Sequence, residues 1–348
     1  MSYIKINKFK VSVIIPTFNA EDYLLDTVNS VINQSLGFEN IELVIVDDCS
    51  TDGTKDIIKM LLSKYENIIS VFLKKNTGSP SIPRNVGINT SSSDYVMFLD
   101  NDDIYYPEIC EKLYKEIKET NVDLVICRNK LLIDNEYQNN KSFFDNYDEV
   151  IMIKNIYEMP EMMSYSYTGS DICNKIFKKE RLIKNNIFFP EEILYEDFVF
   201  NIKYFLSSQG IVFLNNYYGY EHKIRSDSIS YTFKEKNLLK QLSGLKKVFH
   251  ILKNKKEFDV FKYELLAGWT KLFLLTELNK KCNLYFLNEV KKMYKSYSLF
   301  LKLKSVNLLT NILVNLMIKL FSVNVKIAYY FKVIVFEIFI IKMFKKFK

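Results

Sequence analysis

The chain has 348 residues, 48% of them hydrophobic, with 27 Phe and 24 Tyr but only 9 Gly and 6 Pro. That profile excludes disordered and collagen-like classes and supplies enough apolar surface for two compact units. The net charge of +7 conceals a division: residues 231–348 carry 24 Lys, no Arg and 7 acids, or +17, which leaves residues 1–230 at −10. An acidic front and a basic back point to two jobs. Cys49, Cys110, Cys127, Cys173 and Cys282 are odd in number and include no Cys-x-x-Cys pair. They suggest neither a disulfide framework nor a zinc knuckle, and a reducing cytosol fits them best. The opening "MSYIKINKFKVSVIIPTF" has a short apolar run broken by Pro16 and reads as a first strand rather than a signal peptide.

In chain order, "VSVII" (11–15) is a strand and residues 20–34 a helix with Leu24, Val28, Val31 and Ile32 on one face. "IELVIVDD" (41–48) is a second strand, 51–65 a helix with a Ser/Thr/Asp start, and "IISVFL" (68–73) a third strand. The loop "KKNTGSPSIPR" leads to a short helix near 84–90, then to the strand "YVMFLD" (95–100), a helix opened by Pro107, and "DLVIC" (123–127). Continuous apolar strands alternating with helices predict an α/β fold, with a mostly parallel sheet covered on both faces. The pattern loosens over 135–230 and is helical after 231.

Sheets of this kind collect functional residues at the strands' carboxyl ends. There stand Asp47 and Asp48 in "VDDCSTDGT", and Asp100, Asp102 and Asp103 in "FLDNDD". Oxygen-only ligands in an acidic domain suit Mg²⁺ or Mn²⁺, with water and substrate phosphates completing the shell. Asp103 also reads as a helix cap before "IYYPE". At a nucleotide site an ionised carboxylate, acceptor only, takes the imide N–H of uracil. Phe18 follows the first strand, where it can stack on a base or join the core, and Ser50 and Thr51 read as helix caps. The 76–88 loop and helix contribute Gly78, Arg84 and Asn85, Arg being suited to phosphate or to fixing a carboxylate. In "LYEDFVF", Glu196 and Asp197 stand together among apolar side chains, which raises a carboxyl pKa toward that of a general base.

Together, "VSVIIPTFN", "VIVDDCSTDGT", "GSPSIPRNVGI", "FLDNDD", "YEDFVF" and "EHKIRSDSIS" resemble the family 2 glycosyltransferases, inverting enzymes with the GT-A fold. The resemblance spans roughly residues 10–230. It implies a 1–230 catalytic domain that moves a sugar from a nucleotide diphosphate sugar, UDP favoured, to an acceptor hydroxyl. It matches Asp48 to the uracil-binding acid and Phe18 to the base-binding aromatic. Asp100 and Asp102 match the Asp-x-Asp motif, the first at the ribose or the metal's water shell and the second on Mn²⁺ or Mg²⁺. Arg84 and Asn85 match a pair on the nucleotide side, where Pro16, Gly78, Asn101, Lys223 and Arg225 are also expected. Asp197 matches the catalytic base, with Glu196 beside it. His222 stands where an aromatic residue is usual and is expected as a further metal or phosphate contact.

Residues 305–348 are apolar but interrupted, and their longest uncharged run ends at Lys319. Asn307, Asn311, Asn315, Lys319, Ser322 and Lys326 step along one narrow helical face, which predicts an interfacial or core helix rather than a spanning one. The expectation for 231–348 is therefore a basic helical region that binds anionic membrane, or packs as a bundle or homo-oligomer. With no recognition motif beside the charge, nucleic acid is not an expected partner. The acceptor expected is a glycan or lipid-linked molecule at the inner face of a bacterial plasma membrane. Three rival readings fit the sequence less well. A non-catalytic nucleotide-binding scaffold is disfavoured by the intact Asp100/Asp102 and Glu196/Asp197 pairs. An aspartyl phosphatase expects its Asp-x-Asp near the first strand, and a nucleotidyltransferase expects a Gly-rich phosphate loop where this chain has "PTFNAEDY".

Overall fold

The computed structural model describes residues 8–133, 136–138, 143–159, 162, 171–224 and 235–258. The chain divides into two compact units, Met1–Ser228 and Ile229–Lys348. The first unit holds the sheet.

Its elements run β1 (Val11–Thr17), α1 (Leu24–Ile32), β2 (Ile41–Asp47), α2 (Thr54–Lys64), β3 (Ile68–Phe72), α3 (Ser81–Thr90), β4 (Tyr95–Phe98), β5 (Ile104–Tyr105) and α4 (Ile109–Thr120). These are followed by β6 (Leu124–Ile133), β7 (Glu136–Gln138), β8 (Val150–Ile153), β9 (Lys175–Lys178), α5 (Lys179–Lys184), α6 (Glu196–Ser207) and β10 (Ile211–Ile224). The sheet order is β3-β2-β1-β4-β9-β6-β10-β5, with β7 on β6 and β8 on β10. From β3 to β4 every ladder is parallel. Every residue of β1 and β2 is buried, as strands covered on both faces must be. β9 then enters antiparallel between β4 and β6, while β6 and β10 pair parallel. The α/β fold of GT-A type expected from the sequence is thus present, as a parallel half joined to a mixed half.

Two features set the positions of the functional ends. Gly87 lets α3 lie directly on β1, since a Cβ there would stand 2.2 Å from Ile14 Cγ2. An aromatic core of Phe98, Phe177, Phe189 and Phe200 joins β4 and β9 to α6, with Phe189 and Phe200 stacked at 4.0 Å. α6 is buried along most of its length, so its first turn is held firmly at the sheet.

In the second unit the described residues form α7 (Glu235–Ile251), as the helical reading expected, and a short 3-10 turn at Lys256–Phe258. The expectations for residues 259–348, the Asn/Lys face and the terminal lysines among them, lie outside the described residues. No helix among the described residues is long and apolar enough to cross a membrane.

Candidate active site

The loops after β1 and β2 are bound to each other. Asn19 N donates to Ser50 Oγ at 2.9 Å, Ala20 N to Thr54 Oγ1 at 2.8 Å, and Thr51 N to Asn19 Oδ1 at 2.9 Å. Ser50 and Thr51, expected as helix caps, instead serve this loop junction, because α2 begins only at Thr54 and has no side-chain cap. Phe18, just past β1, is 42% exposed, which rules out the core role and leaves its ring open to a ligand. Pro16 lies buried inside β1 opposite Val46, beyond the last residue of β1 that β4 pairs. Its missing N–H therefore costs no ladder bond to β4.

Asp48 is buried at the end of β2, and both its oxygens accept from Thr77 N at 3.0 Å while Oδ2 also accepts from Thr77 Oγ1 at 2.9 Å. Burial raises its pKa, and the Thr77 hydroxyl and amide pull it partly back. Asp48 thereby fixes the 76–78 loop, whose turn depends on Gly78 at φ +76°.

Arg84, on α3, is the hub of the site. It is 4% exposed, and it donates from Nη2 to Asp100 Oδ1 at 2.7 Å and from Nη1 to Glu196 Oε1 at 3.1 Å. Its guanidinium lies 5.2 Å from the Phe189 ring centroid. Burial opposes the charge, but Asp100 and Glu196 outweigh it and raise the pKa above the ordinary guanidinium value. The neighbouring Asn85 is turned to the segment before α6. Its amide is spent on the backbone of Phe189, accepting from the N–H at 2.8 Å and donating to the carbonyl at 2.9 Å. It positions the aromatic core under Arg84.

Beyond β4, Asp100, Asn101 and Asp102 are partly exposed, and the Asn101 carbonyl accepts from Thr27 Oγ1 at 3.0 Å. Asp103, read from the sequence as a cap, is instead 1% exposed and engaged on both oxygens. Tyr220 donates its hydroxyl to Oδ2, His222 Nδ1 lies 3.2 Å from Oδ2, and Lys223 N donates to Oδ1 at 2.8 Å. The cause is β10, whose Tyr220 and His222 share one face of the strand and converge on Asp103. Burial disfavours the His222 cation, yet the Asp103 hydrogen bond and charge raise its pKa to about 9. Arg225 lies outside the described residues.

Asp197 opens α6 next to Glu196, after Tyr195 at φ +67°. Its Oδ1 accepts from Phe198 N at 2.8 Å. Burial raises its pKa most, the Glu196 carboxylate adds to this, and Arg84 opposes it. The result is a carboxylate more basic than usual at the start of α6.

The donor set can be tested against a cation. Among the described residues, the group of three possible ligands lying within 4.8 Å of one another is Asp100, Asp103 and Cys173. That trio does not make a cage for Mg²⁺ or Mn²⁺. Burial holds the Cys173 thiol well above its ordinary pKa, and the Asp103 oxygens are already engaged. Asp100 and Asp102 fit better: both are partly exposed oxygen donors, of which Asp100 gives Oδ1 to Arg84. His222 fits only as the neutral imidazole: its Nδ1 is turned to a carboxylate, the arrangement that orients a ligating imidazole, but a bound cation would have to displace the second proton that Asp103 favours.

Acids at the ends of β2 and β4, an arginine that joins Asp100 to Glu196 and an exposed aromatic after β1 are the features that the glycosyltransferase resemblance expects of its donor site. The comparisons agree. The family model "Glycosyl transferase family 2" matches residues 12–180. A cholesterol galactosyltransferase of Borreliella burgdorferi is 30% identical over 275 residues, 74% of this chain and 75% of that one. The chain belongs to glycosyl transferase family 2. The poly(ribitol-phosphate) β-N-acetylglucosaminyltransferase TarP of Staphylococcus aureus is 36% identical over 215 residues, 60% of this chain and 61% of that one. The chain spans only about a third of the length of several other curated relatives. Among solved structures, S. aureus TarS 1-349 in complex with UDP-GlcNAc superposes with a TM-score of 0.69 at 24% identity, covering 94% of this chain and 89% of that one.

Proposed function

We propose that the chain transfers a sugar from a uridine diphosphate sugar to a hydroxyl of a bacterial surface polymer, inverting the anomeric carbon by direct displacement. One observation carries the reading. A single buried guanidinium, Arg84, ties Asp100 at the end of β4 to Glu196 at the start of α6, so the cation-suited acids and the base-suited acid are fixed relative to each other. Asp48 keeps acceptor capacity for the uracil N–H beside its Thr77 bonds, and Phe18 offers an exposed ring to the base. Asp100, Asp102 and His222 would hold a divalent cation, which when bound supplies Lewis-acid neutralisation of the departing diphosphate. Asp197 takes the proton of the acceptor hydroxyl on Oδ2, since Oδ1 is engaged by Phe198 N.

UDP as the donor nucleotide is supported by the TarS complex, and a polyol-phosphate acceptor by the names of TarP and TarS. A lipid acceptor is the second reading, supported by the cholesterol galactosyltransferase. In this proposal residues 1–230 form the catalytic domain, and the basic residues 231–348 hold the enzyme to the cytoplasmic face of the membrane or to another copy.

The test is to incubate the full chain with Mn²⁺, UDP-GlcNAc, UDP-glucose or UDP-galactose, and poly(ribitol phosphate), following UDP release and the anomeric configuration of the product. UDP release with a β-linked product from an α-linked donor is the expected result. Absence of UDP release from every donor, hydrolysis included, would overturn the reading.

A further inference from the structure

A further carboxylate, Asp171, belongs to the same part of the fold, and no sequence motif marks it. It lies in the stretch that leads into β9, and three independent ties fix it. Asn129 Nδ2, from β6, donates to its Oδ2 at 2.7 Å. Asn201 Nδ2, from α6, donates to its carbonyl at 2.9 Å. The buried Lys175 donates from Nζ to the same carbonyl and, at 2.8 Å, to Asn174 Oδ1. Keeping an ammonium fully buried is costly, and burial lowers the Lys175 pKa to about 8. That cost secures the backbone at Asp171.

The ties also say where Asp171 sits. Asn201 is four residues from Asp197 on α6, so the two share one helical face. Two residues along the chain from Asp171, Cys173 Sγ lies within 4.8 Å of ligand atoms of Asp100 and Asp103. Asp171 therefore stands between the acids that end β4 and the acid that opens α6. Burial raises the Asp171 pKa, the His222 and Lys175 charges oppose this, Asp103 and Asp100 add to it, and the charge of Asp171 in turn acts on Asp197. It is partly exposed, and among the described residues nothing donates to its Oδ1.

In a direct displacement the reacting carbon lies between the departing diphosphate and the attacking hydroxyl. A group bordered by the diphosphate's acids on one side and the base on the other faces the sugar ring itself. An ionised carboxylate accepts only, and sugar hydroxyls donate. Resting on the transferase reading above, we propose that the Asp171 carboxylate accepts a hydrogen bond from a hydroxyl of the donor's sugar and so selects which sugar is transferred.

The test measures binding of UDP, UDP-GlcNAc, UDP-glucose and UDP-galactose to the full chain in Mn²⁺, for the parent, Asp171→Asn and Asn129→Ala, with thermal melts of each. The parent is expected to prefer one sugar nucleotide over the others. Asp171→Asn should bind bare UDP as the parent does but lose about tenfold for the preferred sugar nucleotide, flattening the ranking. Asn129→Ala, which frees the carboxylate without removing it, should lose less in the same direction, and it keeps the test valid if Asp171→Asn does not fold. An unchanged ranking in the variants, an equal loss for UDP itself, or a parent with no preference would overturn the proposal. A parent that binds no uridine nucleotide would instead overturn the transferase reading on which the proposal rests.

Discussion

Two acidic regions of this molecule use the same side chain to opposite ends. At the end of β4, Asp103 receives the Tyr220 hydroxyl and the Lys223 amide and stands against the His222 ring, and it is nearly inaccessible. At the start of α6, Asp197 receives one amide, stands against another carboxylate and has a raised pKa. Donors on both oxygens hold Asp103 in place, while burial and the scarcity of donors at Asp197 raise its pKa toward that of a base. Environment, not residue type, assigns the role. Arg84 joins the regions through hydrogen bonds to Asp100 and Glu196, and its charge only partly offsets the rise at Asp197.

If that contrast holds, Asp197→Asn has the largest effect: turnover should fall by about 10³-fold with UDP affinity unchanged, as steady-state kinetics beside calorimetry would show. Loss of nucleotide binding in that variant would mean that Asp197 is structural. Arg84→Ala should come next. It strands two carboxylates around a vacated buried site and should cost about 3–5 kcal/mol in chemical denaturation. A loss below about 1 kcal/mol would show that the two regions stand without their bridge.

The pH profile sharpens the contrast further. Asp197 must be ionised to act, and its pKa is raised, so turnover should fall as pH drops through a limb lying above the ordinary carboxylate range of about 4. Glu196→Gln removes a like charge and should move that limb to lower pH; a limb that stays put would assign it to another group. The smallest effect is expected of Thr77→Val, which takes one donor from Asp48 and should weaken UDP binding by about 1 kcal/mol without altering the pH limb.

The parallel half of the fold was legible because its strands are short, continuous and apolar. β1 to β4 lie where periodicity put them, within a residue or two at most ends. The mixed half was not. β10 runs 14 residues through "IVFLNNYYGYEHKI", where two register shifts between Leu214 and Tyr220 break the alternation that marks a strand. Losing β10 hid the partners of Asp103, so a buried hub read as a helix cap. Asp171 was hidden for a related reason: its neighbours Asn129 and Asn201 come from elements 42 and 30 residues away in sequence. The bond of Asn85 to the Phe189 backbone was likewise out of reach of the sequence, since the two residues lie 104 positions apart.

The most direct measurement of the central claim is calorimetric titration of UDP, GDP and CDP into the full chain, with and without Mn²⁺, with Asp102→Asn run in parallel. The account predicts binding that prefers UDP, requires the metal and is lost in the variant. Binding by none of the three, or equal binding that ignores both the metal and Asp102, would contradict it.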